Sequence, residues 1–325
     1  MGAETPEQDV AALMRQVLYE IKKVVVGQDH FLERLLVAIL SRGHLLVEGV
    51  PGLAKTLTVN TLAKTIQGSF KRIQFTPDLV PADLVGTRIY NQREGAFSTS
   101  LGPVFCNLLL ADEINRAPAK VQSALLEVMA ERQVSLAGKT HPLPRPFVVI
   151  ATENPIESEG VYPLPEAQRD RFLMKVSVSY PSATEEMQIL QRMSVDPPVA
   201  TRILDPGSLI ALQKASDEIA VHELVADYIV RLVMATREPE QYRLADLKGV
   251  IDIGASPRAT LGLVASARAL ALLRGRDYVL PDDVKELFIA CCAHRVISKT
   301  YLSNGDADAT TRILKALLEQ TPAPK

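Results

Sequence analysis

The stretch that most limits what this chain can become is His44 to Thr56, HLLVEGVPGLAKT. A short apolar run leads into a glycine-bearing turn ending in lysine and threonine, the layout of a loop that wraps phosphate and opens a helix. Small residues let successive backbone N–H groups point into one concavity, and the positive end of the helix adds to it. Gly49 and Gly52 supply that freedom, while Val50, Pro51, Leu53 and Ala54 complete the loop and Leu57 continues it. Lys55 suits neutralisation of β- and γ-phosphates, and the Thr56 hydroxyl suits one position on Mg²⁺.

The pattern G-x-x-x-x-G-K-[ST] is departed from once, because Ala54 stands where glycine precedes the lysine. Entry into a helix needs no positive φ there, so the methyl group is expected to be tolerated. Leu45, Leu46 and Val47 read as a buried strand. Val59, Leu62, Ala63 and Ile66 recur at helical spacing after the loop.

A chain of 325 residues exceeds one average domain, which predicts a large domain and a smaller one. Its 36 basic and 38 acidic residues nearly cancel, so overall charge favours neither nucleic acid nor a membrane surface. Adjacent Cys291 and Cys292 with remote Cys106 form neither a disulfide framework nor a zinc spacing. The acidic start MGAETPEQD is no secretory leader, and no apolar run approaches the ~20 residues of a membrane span. A cytoplasmic protein without membrane insertion is expected.

Apolar spacing predicts a first helix through residue 24 and a second around Leu32 to Leu40, joined by a Val26-Gly27 turn. That turn could face an adenine ring, and it fits a plain interhelical turn equally well. Further strands are predicted at Phe70 to Phe75, Leu108 to Asp112, Phe147 to Thr152 and, with period two, Phe172 to Tyr180. Helices between the strands imply a parallel five-stranded sheet in an αβα sandwich. Two excursions interrupt it: a hairpin with its tip at Asn91 to Gly95, carrying Arg88 and Arg93, and the polar stretch AGKTHPLPRP, carrying Lys139 and Arg145. Ser182 with Glu185 reads as a capping box, and DPPV at Asp196 to Val199 as a boundary, beyond which every pattern is helical.

The later strands narrow the chemistry. Leu108 to Ala111 deliver Asp112 and Glu113 to the sheet edge nearest the phosphate loop. Asp112 could hold Mg²⁺ through water while Glu113 polarises a water for in-line attack on the γ-phosphate. Asn154, at the next strand end, could bond that water, although asparagine before proline is also an ordinary turn residue. Arg171 could reach a neighbouring subunit's γ-phosphate or simply pair with Asp170. Arg258, at the start of a late helix, could couple the second domain to the nucleotide or be merely solvated. No N-K-x-D segment reads a guanine base, which disfavours a GTPase.

GVPGLAKT, LLLADEINRAP, ATENP, LPEAQRDRF and GASPRAT occur in that order over nearly the whole chain. Together they resemble the MoxR family of AAA+ ATPases. The resemblance implies a P-loop αβα ATPase domain followed by a small all-α lid, and ATP held between subunits of a ring, usually a hexamer. It also implies a chaperone-like role toward a protein client, often one with a von Willebrand factor A domain. It casts Lys55 and Thr56 as phosphate and Mg²⁺ ligands, Asp112 and Glu113 as metal and catalytic acids, Asn154 as first sensor, Arg171 as finger and Arg258 as second sensor. The expected parts are an N-terminal helix (1–24), an ATPase core (25–181), a linker (182–199) and the lid (200–325). Within the core lie a helix-two insert near 87–105 and a pre-sensor hairpin near 134–147. Two positions depart from the family: Arg169 where leucine is usual and Glu153 where glutamine is usual. Arg169 and Arg116 are further interface candidates. A metal-chelatase ATPase subunit is the alternative, and a nucleic-acid motor a weaker one.

Overall fold

In the computed structural model, α1 (Pro6–Val24) and α2 (Asp29–Leu40) precede β1 (Leu45–Glu48), and α3 (Lys55–Thr65) and β2 (Phe70–Gln74) follow it. The short α4 (Pro81–Val85) runs into a hairpin of β3 (Gly86–Asn91) and β4 (Ala96–Leu101); β5 (Leu108–Asp112) then leads to α5 (Ala119–Glu131). A second hairpin, β6 (Gln133–Leu136) with β7 (Lys139–Pro142), precedes β8 (Val148–Glu153), α6 (Glu166–Arg169), β9 (Met174–Ser177) and α7 (Ala183–Met193). The remainder is α8 (Pro206–Glu218), α9 (Glu223–Arg237), β10 (Ile251–Ile253), α10 (Pro257–Leu273), α11 (Pro281–Cys292), β11 (Ile297–Ser298) and α12 (Ala307–Gln320). The structure describes residues 6–92, 95–155, 160–194, 197–242, 247, 249–299 and 307–324; Arg93, at the first hairpin's tip, and Asp196 lie outside them.

Five strands form one parallel sheet in the order β2-β5-β8-β1-β9. Because side chains alternate across a strand, each strand feeds two cores. Leu45, Val47, Leu108, Leu110, Val148, Ile150, Met174 and Val176 enter one; Leu46, Leu109, Ala111, Val149 and Ala151 enter the other, which α5 and Phe172 close. The fold is the expected α/β sandwich with a helical lid.

Two details differ from the sequence reading. The alternation from Phe172 to Tyr180 predicts a longer last strand than forms. β9 is an edge strand whose sole partner among the described residues, β1, offers four residues, so pairing ends at Ser177 and Tyr180 is 69% exposed. The lid also carries one short antiparallel pair, β10 with β11, among its helices.

The lid and the sheet share a core. α10 packs on α1 and α2, α11 packs on β9, and Leu263, Leu287 and Phe288 join the same apolar cluster as Leu32, Leu35 and Ile39. Arg34 of α2 is 1% exposed inside this seam and donates to Glu286 of α11 at 2.9 Å. An arginine buried this deeply needs its carboxylate, since an unpaired charge there is strongly destabilising.

Both excursions are hairpins that project from the sheet. The first exposes Ile89, Tyr90 and Phe97, with the Arg88 guanidinium stacked 4.4 Å above the Phe97 ring. Gly86 and Gly102 close its base, where an added Cβ would collide with backbone. Among the described residues, no helix is long and apolar enough to cross a membrane.

Candidate ATPase site

The loop between β1 and α3 and the tips of β5 and β8 line one cavity of about 370 Å³. Gly49, Pro51, Gly52, Leu53, Ala54, Lys55, Thr56 and Leu57 form one wall; Arg72, Asp112, Glu113, Thr152 and Asn154 form the other. Gly49 cannot be larger, because a Cβ would sit 2.7 Å from the Val178 carbonyl. Ala54 corrects the sequence expectation. Its φ is +56°, so this residue does occupy the left-handed region, where glycine is the unstrained choice. The turn reverses there, at the exposed residue that precedes α3.

Lys55 is buried, and its Nζ donates to the Gly49 carbonyl at 2.6 Å. Burial pushes its ammonium below the usual lysine value, while Asp112 and Glu113 pull it back up. Asp112 and Glu113 are both held on several sides. Asp112 Oδ1 accepts from Thr152 Oγ1 at 2.6 Å, and Oδ2 accepts from the Arg72 fork at 2.6 and 3.1 Å. Glu113 has φ +56°, its backbone N–H donates to Thr152 Oγ1, and its Oε2 accepts from Gln74 Nε2 at 2.6 Å and Arg116 Nη1 at 3.1 Å. Thr56 and Asp112 present hard oxygen donors to the same space as Lys55, a set that fits Mg²⁺ beside phosphate. The arrangement places a lysine-bearing loop opposite two adjacent acids across one cavity.

The predicted residues do not all meet here. Arg171 and Arg258 line a separate cleft with Arg42, Arg132 and Arg295. Leu173 N donates to the His44 carbonyl, so the Asp170–Leu173 turn sits at the starting end of β1, whereas the phosphate loop leaves its far end. A four-residue strand, about 13 Å of rise, lies between. Asp170 does not pair with Arg171. It accepts instead from Ser256 Oγ at 2.8 Å and Arg295 Nε at 2.9 Å, with Arg258 Nε at 3.9 Å, while Arg171 Nη1 donates to the Leu126 carbonyl at 2.7 Å.

Val26 and Gly27 are not in the phosphate cavity either. Gly27 lies against Glu185 of α7, whose capping box with Ser182 forms as expected. Arg116 is drawn to Glu113 of its own chain. The two departures from the family pattern, Glu153 and Arg169, line one cavity of about 640 Å³ between the sheet edge and the lid. Sequence reasoning missed Arg72, Gln74, Thr152, Asp170, Ser256 and Arg295. Arg72 and Gln74 had one signal, two polar residues at i and i+2 on a strand beside the acid-bearing one.

The model of the "ATPase family associated with various cellular activities (AAA)" matches residues 44–174, and that of the "AAA lid domain" matches 246–315. The chain is 55% identical to "Chaperone MoxR1" of Mycobacterium tuberculosis over all of its own length and 85% of that protein. The chain belongs to the MoxR family of AAA+ ATPases. "Protein MoxR" of Methylorubrum extorquens is 31% identical, with 98% of this chain and 97% of that one aligned. A crystal structure from Cytophaga hutchinsonii, described as a candidate ATPase, superposes with a TM-score of 0.92 at 45% identity, covering 98% and 97% of the two chains. Like the family, this chain is an ATPase.

Proposed function

We propose that copies of this chain assemble into a ring, a hexamer, in which each ATP is cradled by one copy and its cleavage completed by the next. The observation that supports this is the separation of Lys55 from Arg171 and Arg258 at opposite ends of the parallel strands. Lys55 and the loop N–H groups hold the phosphates, and Thr56 and Asp112 hold Mg²⁺, which when bound neutralises phosphate charge. Glu113 orients and polarises the attacking water, with Asn154 beside it. Arg171 of the neighbouring copy offsets charge on the γ-phosphate, and Arg258 acts from the same side, in trans.

The ring works as a cytoplasmic, chaperone-like remodeller of a protein client, one with a von Willebrand factor A domain, and not on nucleic acid. Family membership supports that role. So do the exposed aromatic side chains of the β3–β4 hairpin, which suit a protein surface better than a phosphate backbone.

Mixing tests the shared site. Lys55→Ala and Arg171→Ala proteins, each inactive alone, regain turnover together, because on random assembly about one junction in four combines an intact Lys55 with an intact Arg171. Absence of rescue at every ratio overturns a site built from two copies.

A further inference from the structure

We propose that Arg72 is a built-in counter-ion of the metal site, competing with the divalent cation for Asp112. This rests on the reading that Asp112 faces the metal. The Arg72 guanidinium forks onto one oxygen of that carboxylate, Oδ2, through Nε at 3.1 Å and Nη2 at 2.6 Å. The other oxygen, Oδ1, is committed to the Thr152 hydroxyl. Gln74 Oε1 accepts from the same Nη2 at 2.9 Å and aims the fork, so this is an oriented, charge-assisted pair rather than a loose surface contact. Arg72 also lines the cavity that holds Lys55 and Thr56. A cation seated between Thr56 and Asp112, bound directly or through its water, shares that carboxylate with Arg72 and stands against a like charge until the guanidinium moves.

Arg72 thus neutralises Asp112 whenever the cation is away and sets the concentration at which the cation enters. β2 is an edge strand of the sheet and the Arg72 side chain is 47% exposed, so its replacement leaves both cores intact.

The test uses the full chain with Arg72→Gln and measures Mn²⁺ binding by electron paramagnetic resonance at saturating ADP. The dissociation constant of Mn²⁺ falls by about two- to tenfold, the range set by a half-exposed pair. In EDTA the affinity for ADP alone stays the same or weakens, because a positive charge has left the cavity. Arg72→Lys, which keeps the charge and loses the fork, gives a smaller gain in Mn²⁺ affinity. Unchanged or weaker Mn²⁺ binding in Arg72→Gln overturns the proposal, as does an equal tightening of ADP in EDTA, which would mean general repacking. Asp112→Asn separates the two levels. If it binds Mn²⁺ as well as the parent, the metal reading of Asp112 fails; if it binds weakly while Arg72→Gln is unchanged, only the competition fails.

Discussion

Arg295 of the lid donates its Nε–H to Asp170 Oδ1 at 2.9 Å, one residue before Arg171. Arg295 Nη2 also reaches the Phe172 carbonyl at 2.6 Å, and His294 bonds the same oxygen at 2.9 Å. The turn that carries the proposed trans arginine is therefore held by lid side chains as well as by backbone bonds to its own helix, α6.

Asp170→Asn follows from that relationship. The amide keeps the Ser256 contact but loses the charge that aligns Arg295 and Arg258. Nucleotide binding at Lys55, measured with a fluorescent ADP, stays within about twofold, while kcat falls by tenfold or more, part of the 10³–10⁵ that a trans arginine supplies. Equal losses in both would mean that the substitution acts on the fold.

Glu113→Gln keeps the hydrogen bond from Gln74 and loses the negative charge. Turnover is expected to drop by about 10²–10⁴, the usual worth of a general base, with ATP affinity retained. Phosphate release at the parent rate would remove Glu113 from that role.

Ala54→Gly relieves a left-handed alanine. The relief, about 1–2 kcal/mol, exceeds the extra freedom that glycine gives the unfolded chain, about 0.5–1 kcal/mol. A net gain of about 0.5–1 kcal/mol is expected by chemical denaturation, the reverse of the usual cost of introducing glycine inside a helix.

His44 gives the stability of the protein an acid limit. It is buried between the Val149 N–H, which its Nδ1 accepts at 2.9 Å, and the Met129 carbonyl, and burial, helped by Arg132, depresses it to about 4. The unfolded chain takes up this proton near 6.5, so the contribution is complete above that pH and is lost progressively down to about 4. At about 1.4 kcal/mol per unit the loss reaches about 3 kcal/mol. Buried His294 is depressed in the same sense, so His44→Asn removes only part of the acid sensitivity of the melting temperature between pH 6.5 and 4.

The phosphate loop was legible because its chemistry is local: glycines, lysine and threonine act within one turn, and the flanking strand and helix announce themselves by period. The acid pair was legible for the same reason, as a polar ending on an apolar strand. Asp170, Ser256 and Arg295 were not, because the contact joins residues more than eighty positions apart and nothing in either segment names the other. The extent of β9 was equally hidden. Its own alternation runs on to Tyr180, but a strand can pair only as far as its neighbour extends, and β1 is short.

The Arg34–Glu286 pair, with the guanidinium buried in the seam between α2 and α11 and the carboxylate at its partly open edge, bears on how such a machine can move. Hinging the lid away from the sheet would strip water-shy surface from both and strand a guanidinium, so each protomer travels as one stiff lever. In the proposed ring, whatever displacement phosphate release generates would then be felt at the joints from copy to copy.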